Sequence, residues 1–541
     1  MATVLPRRAT VAPAALLAMF VLGARPGARQ AVIQLNPQLV PNGQVVSAAS
    51  GSRFAVYLAD QEVDEVRELY SVALDPPFAR QKLNAPLVLS GDVDFFLQIS
   101  PASGRVVYRA DQDIDEVYEI FSVSITGDPG PVQLNGTLAS GGDVDTRFLI
   151  TPDSARVVYL ADQDADEVLE LFSVPILGGT PVQLNAPLVA GGDVFAFLIS
   201  PDSTRVAYVA DQEVNNRPEL YSMPIDGSAA PTKLNAPLVP GGAVFSLAWA
   251  WAISPDSSRV VYRADQDVDE LIELFSVPID GSAAPVQLNG ALVAGGDVGV
   301  PSISPDSSRV VYVADQDADE VHELFSVPID GSASAVKLNG PMAPGGDVAV
   351  SFVQLSPDSS RAVYTADQDT DGVPELYSAP IDGSASAIKL HPPLPPGRVV
   401  NAAMVRISAD SSRVVYVSNA DAPLVLELFS VPIDASGPPV KLNPPLVSGG
   451  NVSDFVLDRQ GRRVAYRADS SVDERVELFT VSIDGRGATL RVNRDLAPGG
   501  QVGFYWFTAD GNRVLYAANQ NLSSQLDLFL RYLTPLYRRA R

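Results

Sequence analysis

Carboxylates recur at a fixed spacing along this chain. The segment Asp315-Gln316-Asp317-Ala318-Asp319-Glu320-Val321-His322-Glu323 places acids at its positions 1, 3, 5 and 9. The same frame returns as Asp367, Asp369, Asp371 and Glu375, and again as Asp265, Asp267, Asp269 and Glu273. Related sets stand at Asp60/Glu62/Asp64/Glu68, Asp111/Asp113/Asp115/Glu119 and Asp162/Asp164/Asp166/Glu170. Alternate residues of a tight loop can turn their oxygens to one side, and calcium takes six to eight oxygens, many from carboxylates. Two unit charges about 5 Å apart repel by roughly 0.8 kcal/mol even in water, so a bound divalent ion would relieve each cluster. The three sets from 265, 315 and 367 are therefore the candidate calcium ligands, and calcium is the one cofactor the sequence suggests. A plainer reading competes, because Asp and Asn also build Asx-turns in solvated hairpin loops. Only Asp371 is followed by a glycine, Gly372, of the kind a sharp bend favours; in the other acidic copies Glu or Asn216 stands there. The fourth copy softens to Asp211/Glu213/Asn215, and two later copies lose the pattern at Asn419, Pro423, Asn519 and Ser523.

Other reactive groups are few. Cysteine is absent, which removes disulfides, thiolate metal sites, thiol nucleophiles and a lipid-modified cysteine. His322 and His391 are the only imidazoles; His322 reads as a surface residue. No Gly-x-Ser-x-Gly elbow, phosphate-binding glycine loop or His-Glu-x-x-His motif occurs. Paired carboxylates could serve glycoside chemistry, yet one active site needs one special constellation, and these acids repeat. The sequence thus leans away from an enzyme. A secreted hydrolase or lyase using loop carboxylates is the alternative.

The acids are carried by a repeat. One tyrosine recurs at 57, 108, 159, 208, 262, 312, 364, 416, 466 and 516, always 49 to 54 residues apart. Each copy holds four strand-like runs separated by turn signals. Strand A precedes Ser-Pro-Asp-Ser, a good type I turn with proline at its second position. Strand B is Arg-Val-Val-Tyr-x-Ala, rich in β-branched and aromatic residues. Strand C is Glu-Leu-Phe-Ser-Val, and Pro-Ile-Asp-Gly then turns the chain. Strand D is Val-Lys-Leu-Asn. Arg309, which opens strand B, is expected to pair with the nearby turn aspartate. Trp249 and Trp251 alternate on one strand and are expected to pack in the core.

Four antiparallel strands per unit at even spacing predict an all-β propeller of ten blades. A lone D-type strand, Ala31–Asn36, begins the repeats, and a C-type strand, Leu526–Leu530, ends them. The first can complete the last blade and remove two exposed edges. A single ring is favoured over two five-bladed rings or an open arc. In such units the B–C and D–A loops share one face, so the acids and the Gly-Gly-Asp segments at Asp143, Asp193, Asp297 and Asp347 would lie together.

At Ser-Pro-Asp-x-x-x-hydrophobic-x-aromatic the chain resembles the TolB-like, WD40-like (PD40) β-propeller repeats over nearly all of residues 32–530. The resemblance implies the propeller fold and says little about activity, since such propellers serve as scaffolds, periplasmic assembly proteins and accessory domains. The N-terminal α/β domain of the TolB translocation protein has no counterpart, and the B–C loop is longer and more acidic than the family's.

Residues 1–31 read as an export signal: Arg7 and Arg8 precede a short apolar run ending near Leu22-Gly23-Ala24. Loss of this segment, with its four arginines, moves the formal charge from -26 to -30. Such a surface disfavours nucleic acid and favours cations or basic partners. Residues 531–541 form a basic tail through Arg538, Arg539 and Arg541. The expectation is a periplasmic or secreted monomer, without a membrane span once the leader is removed. It is expected to bind a protein or cell-envelope component through the acidic face.

Overall fold

The computed structural model describes residues 32–247 and 250–533. The leader, Trp249 and the tail residues Arg538, Arg539 and Arg541 lie outside the described residues. Every regular element described is a β-strand, and no helix among the described residues is long and apolar enough to cross a membrane.

Blade 6 shows how local sequence becomes sheet. Strand A is Ser302–Ile303, strand B Arg309–Ala314, strand C Glu323–Pro328 and strand D Val336–Lys337. The Ser304 carbonyl accepts a bond from Ser307 N at 2.8 Å, closing the Ser-Pro-Asp-Ser turn. Strand B is buried on both faces after its first residue, which explains its unbroken run of Val, Tyr and Ala. Tyr312 faces Phe325 across the ladder with ring centroids 5.5 Å apart. Equivalent stacked pairs occur in all ten blades. Pro328 ends strand C while still standing opposite Arg309.

Ten antiparallel sheets of four strands follow one another. In blade 10, strands Val502–Phe507, Arg513–Ala518 and Asp527–Tyr532 take their fourth member from the other end of the chain, Val32–Gln34. Val32 pairs with Arg531 and Gln34 with Phe529. Arg531 and Tyr532, assigned to the tail by sequence, thus belong to the last strand.

The core settles the number of rings. One sheet cannot bury both its faces, so the apolar residues gather between blades. Each buried cluster joins two consecutive blades, including the fifth and sixth (Val261, Leu274, Val310, Tyr312). One joins the tenth to the first through Leu515, Leu528 and Leu530 against Val45, Tyr57 and Val72. No blade-to-blade interface is missing. The molecule is one closed ten-bladed propeller, the favoured alternative of the sequence reading. Trp251 is buried between blades 4 and 5, as expected.

Candidate functional site

The B–C and D–A loops meet at one end of every blade. In blade 6 the four acids of the B–C loop take separate paths. Asp315 is buried; its Oδ1 accepts a 2.5 Å bond from Asp297 N of the D–A loop, and its Oδ2 accepts from Glu320 N at 3.2 Å. Asp317 and Glu323 both clasp Lys337 of strand D, each 2.7 Å from its Nζ. Asp319 lies over Gly295, where an added Cβ would come within 2.9 Å of its Oδ1; Gly295 itself has φ +88°. A side chain there would meet both steric and backbone penalties, which accounts for the glycine.

The other candidate ligands behave alike. Asp367 accepts from Asp347 N and Gly372 N, Lys389 bridges Asp369 and Glu375, and Asp371 covers Gly345. Asp265 accepts from Ala243 N and Glu270 N, Asp269 covers Gly241, and Glu273 accepts from Gln287. Thus positions 3 and 9 are brought together by a shared lysine in blades 6 and 7, whereas positions 1 and 5 are directed elsewhere. Among the described residues no three acidic or histidine side chains converge as a metal site would require.

Position 1 serves the fold. In all ten blades its side chain accepts a bond from the backbone N–H of the D–A loop, and in blades 8 and 10 Asn419 and Asn519 do so at 2.7 and 3.2 Å. An amide oxygen suffices, so the requirement is for an acceptor and not for charge. Position 6 has positive φ in blades 1 to 9 whatever its side chain: 61° at Glu320, 65° at Glu270 and 71° at Gly372. Glycine is therefore not what distinguishes the Asp371 copy.

The Gly-Gly-Asp aspartate links blades. Asp297 Oδ1 accepts from Ile272 N of the preceding blade at 2.8 Å, and Asp347 from His322 N at 2.7 Å. Asp143 and Asp193 likewise accept from Tyr118 N and Leu169 N. His322 is half-exposed, with Nδ1 3.4 Å from Asp347.

Two further devices were not recognised from sequence. The asparagine ending strand D, such as Asn339, is buried and accepts from Leu324 N at 2.8 Å while donating to Gly340 O. His391 replaces it in blade 7, its Nε2 accepting from Leu376 N at 2.9 Å. The glutamine at loop position 2 accepts from the strand B tyrosine, as in Tyr312 to Gln316 at 3.3 Å. Both repeat visibly in the sequence as Leu-Asn and Asp-Gln.

At the opposite end of the blades Arg309 does not pair with Asp306. Its Nε donates to Ser326 Oγ at 2.7 Å, because the side chain lies across the sheet over strand C. Asp306 is instead held by Ser304 and Ser308, and its own N–H bonds Ser359 of the next blade. Burial alone would raise the Asp306 pKa, but the hydroxyl and amide donors outweigh it and hold the carboxyl below its ordinary 3.8. A depressed folded-state pKa contributes stability above the ordinary value that is lost as pH falls through it. The melting temperature of Asp306→Asn is therefore expected to decline less steeply than wild type below about pH 4. Parallel curves would contradict this.

Charge at the loop face is balanced unevenly. Burial opposes the Lys337 charge, yet its bonds to Asp317 and Glu323 hold its pKa above the ordinary value. Where strand D carries Gln, as beside Glu119, Glu170 and Glu273, burial raises the carboxyl pKa.

The molecule is a β-propeller repeat protein of ten four-stranded blades. Residues 274–458 match the family described as the lipoprotein LpqB β-propeller domain, about a third of the chain. Among solved structures it is similar to a putative TolB from Agrobacterium tumefaciens, at 20% identity and a TM-score of 0.27 over 44% of this chain and 78% of that one. It is also similar to dipeptidyl peptidase 4 from Porphyromonas gingivalis, at 9% identity and a TM-score of 0.50 over 78% of this chain and 64% of that one. An oligogalacturonate lyase from Vibrio parahaemolyticus matches at 12% identity and a TM-score of 0.35, over 74% of this chain and all of the other. At 9% identity the likeness to the dipeptidyl peptidase bears on fold alone. No curated protein matches the chain significantly.

Proposed function

We propose that this protein is an exported scaffold whose acidic loop face binds a basic protein or cell-envelope component. The observation that carries the reading is the make-up of the loop tips. In four blades they expose an aliphatic side chain at position 4 (Val63, Ile114, Val268, Val472) beside exposed carboxylates at positions 5 and 6. Scattered exposed apolar residues need no explanation, but their recurrence on one face beside like charge suits a partner with basic and apolar groups. The leader-like segment and the match to a lipoprotein propeller domain support export to the envelope. Calcium held by all four acids of one loop finds less support, since the acids take separate partners.

The test is site-specific photocrosslinking in cells that express the full chain. A crosslinker at Val268 is expected to capture a discrete envelope partner, with one at Ser308 on the opposite face as control. Capture from Ser308 alone, or from neither position, would overturn the reading.

A further inference from the structure

The acid at position 9 opens strand C in every blade, and its partners differ in a telling way. In blades 1, 4 and 7 it receives both a strand D lysine and a tyrosine hydroxyl: Lys82 and Tyr70 on Glu68, Lys233 and Tyr221 on Glu219, Lys389 and Tyr377 on Glu375. Blades 6 and 8 keep the lysine, as Lys337 on Glu323 and Lys441 on Glu427. Blade 9 uses Arg491 and Ser471 on Glu477. Blade 10 surrounds Asp527 with Asn36 and Asn521.

Blades 3 and 5 lack all of these. Strand D carries Gln183 and Gln287, and strand C carries Phe172 and Phe275 where a tyrosine could have supplied a hydroxyl. Each glutamine donates to Oε1 of its glutamate at 2.6 Å. The Oε2 atoms of Glu170 and Glu273 have no hydrogen-bond partner, although these residues are only 8% and 7% exposed. A buried carboxylate oxygen left unsatisfied costs on the order of 1–3 kcal/mol or more.

Register shows what is missing. Gln287 stands opposite Phe275 as Lys337 stands opposite Phe325. Gln287 Nε2 therefore stands in for Lys337 Nζ but satisfies only Oε1 of Glu273, and Asp267 corresponds to Asp317, which meets the lysine at 2.7 Å from the other side. Asp164 and Glu170 repeat the arrangement in blade 3. Blade 2 has the same residue types, but its Glu119 is only half-buried and Asn135 also reaches it.

We propose that Asp164/Glu170 and Asp267/Glu273 each seat a hard divalent cation, calcium by the chemistry of their oxygens, where other blades place a lysine ammonium. Two carboxylates, a turned glutamine amide oxygen and water can complete an oxygen shell, and so sparse a protein set suits affinities of about 10⁻⁴–10⁻³ M. The competing occupant is a proton, which burial and the neighbouring aspartate both favour on these glutamates. The inference does not rest on the scaffold reading and stands or falls apart from it.

The experiment is thermal melting and calorimetric titration of the full chain with calcium chloride, with EDTA-treated protein as reference. Calcium at about 10 mM is expected to raise the melting temperature by about 2–4 °C. The double variant Gln183→Lys/Gln287→Lys installs the ammonium that five blades already use. It is expected to lose the calcium response while melting at or above the calcium-free wild type. Lys337→Gln should add a third, similar site. A wild type stabilised by acid but not by calcium would overturn the proposal in favour of a proton. A calcium response unchanged in the double variant would overturn it in favour of a site elsewhere.

Discussion

Deletion of residues 32–36 is expected to open the ring and leave a chain that aggregates. Val32–Gln34 supplies the fourth strand of blade 10, and Leu35 N extends the pairing with a 2.8 Å bond to Leu528 O. Asn36 Oδ1 accepts from Leu528 N at 2.8 Å, so the segment is pinned beyond its ladder. Leu35 is fully buried in the cluster that joins blades 10 and 1. Burial of Val32 and Leu35 contributes roughly 1.5–3 kcal/mol each, and the ladder and cap bonds about 1 kcal/mol apiece. Loss of both therefore removes on the order of 5 kcal/mol or more, a large part of an ordinary domain's stability. It also bares the edge of strand Asp527–Tyr532, a template for intermolecular pairing. The milder Leu35→Ala is expected to cost about 2–5 kcal/mol without abolishing the fold. Denaturant midpoints and light scattering read both outcomes. A truncated chain as stable and as monodisperse as the full one would show that the first strand does not close the ring.

The second large effect separates two roles for the first loop aspartate. Asp315→Ala strands two backbone N–H groups, those of Asp297 and Glu320, at the junction of two loops. Each unsatisfied donor costs about 1–3 kcal/mol, so a destabilisation of about 2–5 kcal/mol is expected. Asp315→Asn keeps an acceptor for Asp297 N, as Asn419 and Asn519 do in their own blades, and should cost under about 1.5 kcal/mol. Urea denaturation of the three proteins in EDTA gives the comparison. Equal losses for Ala and Asn would mean that the negative charge is what the loop needs.

Much of this architecture is readable before any coordinates. Strand identity follows from Arg-Val-Val-Tyr and Glu-Leu-Phe-Ser-Val, whose β-branched and aromatic residues fit only a doubly buried sheet. Ring closure follows from the unpaired first strand and the missing last one. The shared face of the B–C and D–A loops follows from strand alternation. Side-chain direction within a loop does not, because it is set by what the fold brings alongside. Asp317 and Glu323 look like two of four ligands until Lys337, fourteen residues beyond Glu323, arrives between them. The variation of that strand D position among Lys, Gln and Arg was the available signal. Arg309 looks like a partner for Asp306 in sequence, yet its length carries it across the sheet to Ser326. Positive φ at Glu320 was hidden for a similar reason: Asp315 Oδ2 accepts its N–H and helps to hold a conformation that glycine would take unaided.

Imaging single particles of the full chain bears most directly on the whole account. Averages viewed down the axis should show one closed ring of ten lobes, since every acidic loop owes its place to an unbroken circuit of blade contacts. Two smaller rings, or an arc with a gap between the first and last blades, would contradict it.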